Sequence, residues 1–335
     1  MTRYTAERAS VGAQPIVVLA NDAGQRARIA CHGAALLSLE SLRNGTPFDI
    51  AWGYRNAEEI VARSGSHFAI LAPFGGRVGD ARYSFDGESF DLEPGVTGAA
   101  REFRHGFVRD VDFTIADLTG GATSATATLA TRAIRPRPGY PFSIDLAIRF
   151  TLDAGGLTLE ARMRNVGDRA APCFFGWHAY FRAGGGMADD WMLEIPAHTT
   201  IRTDARLIPL PGEAAYVPLE QAPALDFRTA RHIGTTVLDN GYAGLAIDGD
   251  GRMRTHLTDP SSGFSIGVWQ ERGVMHAFTG DTLGAGARSA VALEPMECMA
   301  DAFNRPDYAS AIRLEPGAER VFRCGVECPA PATPR

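Results

Sequence analysis

The amino-acid sequence predicts an all-β protein with the architecture of a large antiparallel β-sandwich. Three observations indicate this fold class: apolar and polar residues alternate along many short segments, turn-forming residues separate these segments, and convincing amphipathic helices are absent. The chain contains 37 glycines and 20 prolines, the residues that tight turns between strands require. With 335 residues, of which 45% are hydrophobic and 21% charged, it is long enough to bury a large core.

The clearest predicted element is a β-hairpin in the middle of the chain. Apolar residues occupy every second position of SIDLAIRFT (143–151) and again of LTLEARMRN (157–165). The glycine-bearing segment DAGG (153–156) separates the two runs, a pattern typical of paired strands with one buried face. Further strands are predicted at 15–20, 27–31, 124–132, 243–247, 264–269, 289–294 and 320–327, and one short helix at 56–64.

No composition shift marks a linker, and no internal repeat is present. We therefore expect a single domain over residues 1–327, followed by a disordered, proline-rich tail, CPAPATPR, at 328–335. The N-terminus lacks a basic start followed by an apolar stretch, and no window approaches about 18 apolar residues. We expect a cytoplasmic protein that does not associate with membranes and is a monomer or a homodimer.

The chain contains no lysine, since all 33 basic residues of the Lys and Arg classes are arginines. This excludes enzymes that need a Schiff-base lysine, a pyridoxal phosphate anchor or a P-loop lysine. Proton transfer near neutral pH is left to the eight histidines, the carboxylates and the tyrosines. A net charge of −6 and a pI of about 5.8 argue against nucleic-acid binding.

The five cysteines are odd in number and widely scattered, so a disulfide framework is not expected. Only Cys324 and Cys328 lie close together, and neither has a neighbouring histidine or a second cysteine pair. This is a weak metal signal, and we expect unpaired thiols in a reducing compartment and no metal site.

Three residues stand out as candidates for acid–base chemistry. His178 lies in the aromatic segment FFGWHAYFR, His105 lies in RHGFVRD, and Glu294 ends the apolar run SAVALE directly before a proline. A carboxylate at the end of a buried strand loses hydration, which raises its pKa and makes it a useful base at neutral pH. Each residue also fits a purely structural role, as a hydrogen-bonded core histidine or a solvated rim residue. The residues alone therefore indicate a β-sandwich with a candidate His/Glu site, whose aromatic side chains suit sugar rings.

Six segments, taken together and in order, are similar to the aldose 1-epimerase (mutarotase) family. The resemblance extends from about Pro15 to Glu327 and implies an antiparallel β-sandwich of the galactose mutarotase type. The matching segments are APFGGRVGDARYSFDG (72–87), RHGFVRD (104–110), GWHAYF (176–181), VLDNGYAG (237–244), FTGDTL (278–283) and LEPMECMADAFN (293–304).

The resemblance implies a role for each matching polar residue. Glu294 matches the general base that removes the proton from the anomeric hydroxyl. His178 matches the general acid that protonates the ring oxygen, and His105 matches a second histidine that hydrogen-bonds the sugar. Arg77 and Asp239 match residues that bind sugar hydroxyls. Because such a reaction only moves protons, the resemblance implies a small-molecule sugar substrate and no metal or redox cofactor.

Three positions depart from the family pattern. Gly76 stands where many members have an asparagine, His276 where some have a glutamine, and Ala300 where a proline precedes the Asp-Ala pair. His276 retains the capacity to hydrogen-bond the sugar, so we include it among the substrate-binding residues. None of the three is the expected acid or base, but all bear on which sugar is accepted.

Three alternative functions remain open at this point. A hexose-6-phosphate 1-epimerase would need an arginine cluster, which Arg82, Arg101, Arg104 and Arg109 could supply. A glycoside hydrolase would need a second carboxylate beside Glu294, with Asp239 and Asp301 as candidates. A non-catalytic carbohydrate-binding protein would retain the aromatic surface without accelerating anomer exchange.

Overall fold

The computed structural model describes residues 2–43, 45–98, 101 and 103–328. The N-terminal strands are β1 (Tyr4–Val11), β2 (Gln14–Asn21), β3 (Arg26–Ala30), β4 (Leu36–Arg43) and β5 (Thr46–Asp49). The following strands are β6 (Ala69–Leu71), β7 (Arg77–Val78), β8 (Arg82–Phe85), β9 (Glu88–Asp91), β10 (Phe103–Arg104), β11 (Thr114–Gly120), β12 (Ser124–Ile134), β13 (Ile144–Asp153) and β14 (Gly156–Asn165).

The second half of the chain continues as short strands. They are β15 (Ala171–Pro172), β16 (Gly176–His178), β17 (Tyr180–Phe181), β18 (Met192–Glu194), β19 (Thr199–Ile201), β20 (Tyr216–Pro218), β21 (Arg231–His232), β22 (Asp239–Ala243), β23 (Met253–Asp259), β24 (Phe264–Gln270), β25 (Val274–Phe278), β26 (Val291–Met296), β27 (Arg313–Leu314) and β28 (Glu319–Glu327). The α-helices are α1 (Ala57–Ala62) and α2 (Ala309–Ile312). Single 3-10 turns lie at Ser64–Ser66, Gly79–Ala81, Ala188–Asp190, Gly212–Ala215, Leu219–Gln221, Pro223–Leu225, Gly284–Gly286, Ala302–Asn304 and Pro306–Tyr308.

Two large antiparallel sheets dominate the architecture, which confirms the predicted fold class. The nine-stranded sheet has the order β11-β12-β13-β14-β28-β24-β23-β18-β21. The eight-stranded sheet has the order β20-β19-β22-β25-β26-β16-β6, with β17 also paired to β26. Strands β1 to β5 form a separate five-stranded sheet, ordered as in the sequence.

The predicted hairpin is strands β13 and β14, which pair from Asp153↔Gly156 outward. Buried and more exposed positions alternate along β13, as the period-two pattern requires. The predicted helix is shorter than expected. It corresponds to α1, where the Asn56 side chain caps the N-terminus by accepting a hydrogen bond of 2.8 Å from the Glu59 backbone N–H.

A single hydrophobic cluster contains residues from Tyr4 in the first strand to Cys328 at the end of the described chain. Cys328 was predicted to belong to the disordered tail. It is buried, and its backbone N–H donates to the Gly155 carbonyl at 3.1 Å. The packed chain therefore extends one residue further than expected, and the rest of the predicted tail, 329–335, lies outside the described residues. All five cysteines are buried and unpaired. In the described ranges, no helix has the length and apolar character needed to cross a membrane.

Candidate active site

On one face of the eight-stranded sheet, a carboxyl group lies between two imidazoles. Glu294 on β26 is the register partner of His276 on β25. Strand β26 also pairs with β16, with Met296 opposite Gly176. Continued by two residues, this antiparallel register brings His178 opposite Glu294, and their Nε2 and Oε1 atoms are 3.4 Å apart. Since opposed residues carry Cβ atoms about 4.5–5.5 Å apart on one face, strand pairing itself sets this His276–Glu294–His178 row.

A cavity of about 330 Å³ is lined by this row. Its volume is within the range of about 300–1,000 Å³ that is typical of small-molecule sites. All six site residues selected from the sequence line it: Arg77, His105, His178, Asp239, His276 and Glu294. The structure thus brings the whole predicted set together, although these residues come from distant parts of the chain.

Burial has opposite effects on the carboxyl and on the imidazole that faces it. The pKa of Glu294 rises from 4.5 to about 7 because of burial, an effect that the charge of His276 opposes and that of Asp239 reinforces. Burial, reinforced by the nearby His276 and His67, lowers the pKa of His178 to about 3. The sequence alone did not indicate whether lost hydration or the attraction between Glu294 and His178 would determine the two pKa values. In the structure lost hydration dominates, so a proton shared by this pair lies on Glu294.

Asp239 and His276 form a second, differently organised pair. His276 Nε2 lies 2.9 Å from Asp239 Oδ1 across the neighbouring strands β22 and β25. Burial alone would lower the pKa of His276, but the hydrogen bond to Asp239 and the charges of Glu294 and Asp239 outweigh it and raise the pKa. Burial would raise the pKa of Asp239, but the bond to His276 and its charge outweigh burial and lower the pKa. This pair therefore favours an aspartate beside an imidazolium.

His105 reaches the cavity from a backbone turn that requires glycine after it. His105 has a φ of 65° and its N–H donates to the Gly76 carbonyl at 2.9 Å. The next residue, Gly106, has a φ of 68° and lies against Ala72, where a Cβ atom would come within 2.1 Å of the Ala72 carbonyl oxygen. The His-Gly-Phe sequence thus has a physical basis, since only glycine fits at its centre. The His105 ring then meets the His178 ring edge-to-face, with centroids 5.4 Å apart.

Two arginines approach the cavity from the short pair of strands β7 and β10. Arg77 and Arg104 are register partners, and both line the cavity. Arg101, in contrast, holds the Asp91 carboxylate and donates to the backbone carbonyls of Asp80, Glu93 and Val96.

The other two arginines of the proposed phosphate cluster also have side-chain partners. Arg82 is paired with Asp91 at 3.3 Å, and Arg109 Nη1 donates to Ser66 Oγ at 2.9 Å. Of the four arginines proposed from the sequence as a phosphate cluster, Arg104 is therefore the one that lines the cavity.

Two of the departures from the family pattern are in direct contact. Gly76 has a φ of 65°, and a Cβ atom built on it would lie 2.5 Å from the Cβ of Ala300. Both residues line the cavity beside Arg77. A side chain at position 76 would therefore need Ala300 or the backbone at position 76 to shift.

Sequence reasoning missed most of the apolar wall and two of the lining loops. The wall includes Ile201, Val274, Phe278, Met296 and Met299, and the loops contribute Thr203, Leu207, Pro209, Thr282 and Leu283. Alternation along β25 could have indicated part of the wall, since Val274, His276 and Phe278 share one face. The loops carry no such pattern.

His67 was also missed, and it lies in an aromatic group directly behind the row. Its ring stacks on Tyr54 at 5.1 Å between centroids and contacts Trp52 at 4.5 Å and Tyr180 at 4.8 Å. Tyr180 in turn stacks on His178 at 5.0 Å. Burial lowers the pKa of His67 to about 4. His67 precedes β6, which pairs with the strand that carries His178, but no local pattern in the sequence indicates this.

We expect the buried carboxyl of Glu294 to reduce stability at alkaline pH. Its folded-state pKa of about 7 is above the ordinary 4.5, so the folded protein loses stability as pH rises from about 4.5 to above 7. The shift corresponds to about 3 kcal/mol. Denaturant unfolding should therefore show Glu294→Gln to be more stable than the wild type at pH 8.5 by up to this amount. At pH 4.5 the difference should be small, and an equal gain at both pH values would contradict this explanation.

Comparison with solved structures identifies the fold as that of the galactose mutarotase-like β-sandwiches. A GalM/aldose epimerase homologue from C. elegans superposes with a TM-score of 0.80 at 19% identity, covering 94% of this chain and 98% of that one. The galactose 1-epimerase from Lactobacillus acidophilus NCFM superposes with a TM-score of 0.76 at 17% identity, covering 98% and 99%. At these identities the similarity establishes the fold.

Sequence comparison establishes the family. The family model for aldose 1-epimerase matches residues 15–327, and the chain belongs to the aldose 1-epimerase family. The uncharacterized protein YihR from Escherichia coli K12 is 26% identical over 238 residues, which are 70% of this chain and 71% of YihR. Human galactose mutarotase is 25% identical over 224 residues, 65% of this chain and 62% of the human protein. Bovine galactose mutarotase is 24% identical over 314 residues, 88% of each chain. Family membership supports an activity of the mutarotase type.

Proposed function

We propose that this protein is an aldose 1-epimerase that interconverts the α and β anomers of a free aldohexose such as galactose or glucose. The observation that carries the proposal is the His276–Glu294–His178 row at the wall of a cavity of sugar-binding size. A carboxyl with a pKa of about 7 can both accept and return a proton near neutral pH.

The proposed reaction is a ring opening followed by closure on the other face. Glu294 takes the proton of the C1 hydroxyl while His178, whose Nε2 lies 3.4 Å from Glu294 Oε1, protonates the ring oxygen, and the C1–O5 bond breaks. The open-chain aldehyde rotates about C1–C2 and closes with both proton transfers reversed. A positioned acid and a positioned base each contribute about 10²- to 10⁴-fold, which suits a reaction that already proceeds slowly in water.

The remaining polar residues have binding roles in this proposal. Arg77 and Asp239 both line the cavity, so each can hydrogen-bond sugar hydroxyls. His105 lies against His178 and would hydrogen-bond the sugar near its reacting end. Tyr180, Phe278 and the methionines Met296 and Met299 supply apolar surface for the ring carbons.

The alternative is a hexose-6-phosphate 1-epimerase, favoured by the two neighbouring arginines Arg77 and Arg104 in the cavity wall. Against this alternative, Arg101 and Arg82 hold Asp91, so they are committed to the local fold. We therefore favour a free sugar. A purely sugar-binding protein would use the same cavity but has no need for the buried, raised-pKa carboxyl.

Anomer interconversion measured over a panel of sugars tests the proposal. Polarimetry or NMR exchange should show accelerated equilibration of α-galactose or α-glucose and slower action on glucose 6-phosphate. Acceleration confined to the phosphorylated sugar would favour the alternative. Binding without acceleration of any sugar in the panel would contradict an epimerase and favour a binding protein.

A further inference from the structure

Arg288 joins three connecting segments beside the cavity, although it is not among the described residues that line it. Its Nε donates to Asp189 Oδ1 at 2.6 Å, and its Nη1 donates to Asp281 Oδ1 at 2.9 Å. The same guanidinium donates to the backbone carbonyls of Gly234 at 2.5 Å and Thr236 at 3.3 Å. Its side chain is 14% exposed, so these charge-assisted bonds are largely shielded from bulk water.

The convergence of two carboxylates and two carbonyls on one group requires arginine. A planar guanidinium presents five N–H donors in a fixed fork, whereas a lysine ammonium donates from a single atom. The backbone of Arg288 has a φ of 57°, and its carbonyl accepts the Ala188 N–H at 2.8 Å. A left-handed backbone is uncommon outside glycine and persists only where the surroundings hold it, often at functional sites.

The segment that Arg288 ends, residues 279–288, forms part of the cavity wall. Its residues Thr282 and Leu283 line the cavity. Leu283 lies against Gly65, another lining residue, where a Cβ atom would come within 3.4 Å of Leu283 Cδ2. Gly286 packs on Trp52, where a Cβ atom would lie 2.5 Å from the indole Cη2. The centre of this segment is thus packed in place, and Asp281 and Arg288 hold it near its two ends.

A chain of hydrogen bonds leads from the same arginine towards Asp239. Asp281 Oδ2 accepts a hydrogen bond from the Thr279 hydroxyl, and that hydroxyl oxygen accepts the Leu238 backbone N–H at 3.0 Å. Thr279 is fully buried, and its own N–H donates to the Leu238 carbonyl at 3.0 Å. Because Leu238 directly precedes Asp239, Thr279 holds the backbone from which the Asp239 carboxylate reaches the cavity.

We propose that Arg288 is a positioning residue, which fixes Asp239 and the wall at 282–283 for binding of the sugar. This inference rests on the proposed function, in which Asp239 hydrogen-bonds sugar hydroxyls. A guanidinium that never touches the sugar would thus set the affinity for it, because it holds both a polar contact and an apolar contact of the pocket in one arrangement.

The proposed acid and base are held by other contacts. Glu294 and His178 face each other through the pairing of strands β26 and β16. Their separation therefore depends on backbone pairing within the sheet and not on the 279–288 segment. A change at Arg288 should weaken sugar binding and leave the proton-transfer step intact, which appears as a higher KM with an unchanged kcat.

The first experiment uses Arg288→Met, which keeps an apolar stem and removes every donor. We expect KM to rise by about 10- to 10²-fold, the effect of losing one charge-assisted hydrogen bond to the sugar, with kcat within about threefold of the wild type. NMR exchange on the sugar that the panel identifies gives both constants. An NMR titration gives Kd, which should rise by the same factor and does not depend on catalysis.

Arg254→Met is a matched control for general loss of stability. Arg254 is 17% exposed and pairs with three carboxylates, those of Asp248, Asp250 and Glu327. Among the residues that the structure describes, those lining the cavity do not include Arg254. This variant should unfold at lower denaturant concentration and keep the KM of the wild type. An equal rise of KM in both variants would overturn the positioning role.

The path to Asp239 is tested with two substitutions of Thr279. Thr279→Ser keeps the hydroxyl and should keep KM, whereas Thr279→Val has a similar size but lacks the hydroxyl and should raise KM. Combining Thr279→Val with Arg288→Met should raise KM by less than the product of the two single effects, since both act along one path. If Arg288→Met does not fold, the two Thr279 variants decide the question.

Three results would overturn the inference. They are a KM within about threefold of the wild type in Arg288→Met or in Thr279→Val, a fall in kcat as large as the rise in KM, and fully multiplicative effects in the double variant. Any of these, with Glu294→Gln inactive, would leave the epimerase function intact. Failure of the wild type to accelerate any sugar would instead contradict the function, and a raised Kd in Arg288→Met would then still support the positioning role.

Discussion

Glu294→Gln should reduce the accelerated interconversion of α- and β-aldohexoses by about 10²- to 10⁴-fold, the contribution of one positioned base. The substitution keeps the size of a side chain that is 3% exposed, and it removes only the ability to accept the C1 proton. Polarimetry at pH 7.5 to 8.5 measures the loss, since the wild-type carboxyl is then ionised. A rate within threefold of the wild type would show that Glu294 is not the base.

Glu297→Gln is a matched control three residues further along the chain. Glu297 is also a buried carboxylate, but its Oε2 accepts from the Phe175 backbone N–H at 2.9 Å and its Oε1 meets Arg272 Nη2 at 2.5 Å. It does not line the cavity. We expect Glu297→Gln to lower the free energy of unfolding by about 1–3 kcal/mol and to leave the rate per folded molecule unchanged. Comparing the two variants therefore distinguishes the loss of the proposed base, Glu294, from the loss of a buried carboxyl group with a structural role, Glu297.

Gly106→Ala should be among the most destabilising single-methyl substitutions in the site. The added Cβ would lie 2.1 Å from the Ala72 carbonyl oxygen, which also accepts the Phe107 N–H at 2.9 Å. A left-handed non-glycine residue costs about 1–2 kcal/mol, and forced overpacking typically adds about 1–3 kcal/mol. We therefore expect a loss of about 2–5 kcal/mol in denaturant unfolding. Because His105 immediately precedes the displaced glycine, the affinity for the sugar should fall as well.

Gly317→Ala separates the two contributions. Gly317 has a φ of 73°, close to that of Gly106, but nothing lies within 4 Å of a Cβ built on it. It should lose only the cost of left-handed backbone, about 1–2 kcal/mol, with unchanged activity. Equal losses in the two variants would mean that the contact with Ala72 has no part in the effect.

Local patterns in the sequence were sufficient to predict the elements whose partners are close in the chain. Strands β13 and β14 follow from alternation on either side of a glycine turn, and both lie where the pattern put them. The short strands were harder, because β16 and β17 have three and two residues and no repeat can be read from so few positions. Their existence depends on pairing with β26, more than a hundred residues later.

Six polar residues of the cavity could be predicted from the sequence, but their electrostatics could not. The resemblance selected Glu294 and His178 as a pair, and they do face each other. The direction in which each pKa moves depends on how much water the complete fold removes, and a motif carries no such information. The arginine cluster shows the same limit: Arg101 belongs to a conspicuous basic run, yet its partners are carbonyls and a carboxylate of the surrounding loops.

The proposed reacting groups lie on paired strands, and much of the enclosing wall lies on loops, which has a practical consequence. Positions 276, 294 and 178 are fixed relative to one another by backbone hydrogen bonds, whereas 203–209 and 282–283 approach the cavity from connecting segments. A mutagenesis library restricted to those segments would vary the outline presented to the sugar while preserving the proton-transfer geometry. Under the proposed function, keeping the paired strands and redesigning the loop segments would be a route to epimerases of altered selectivity.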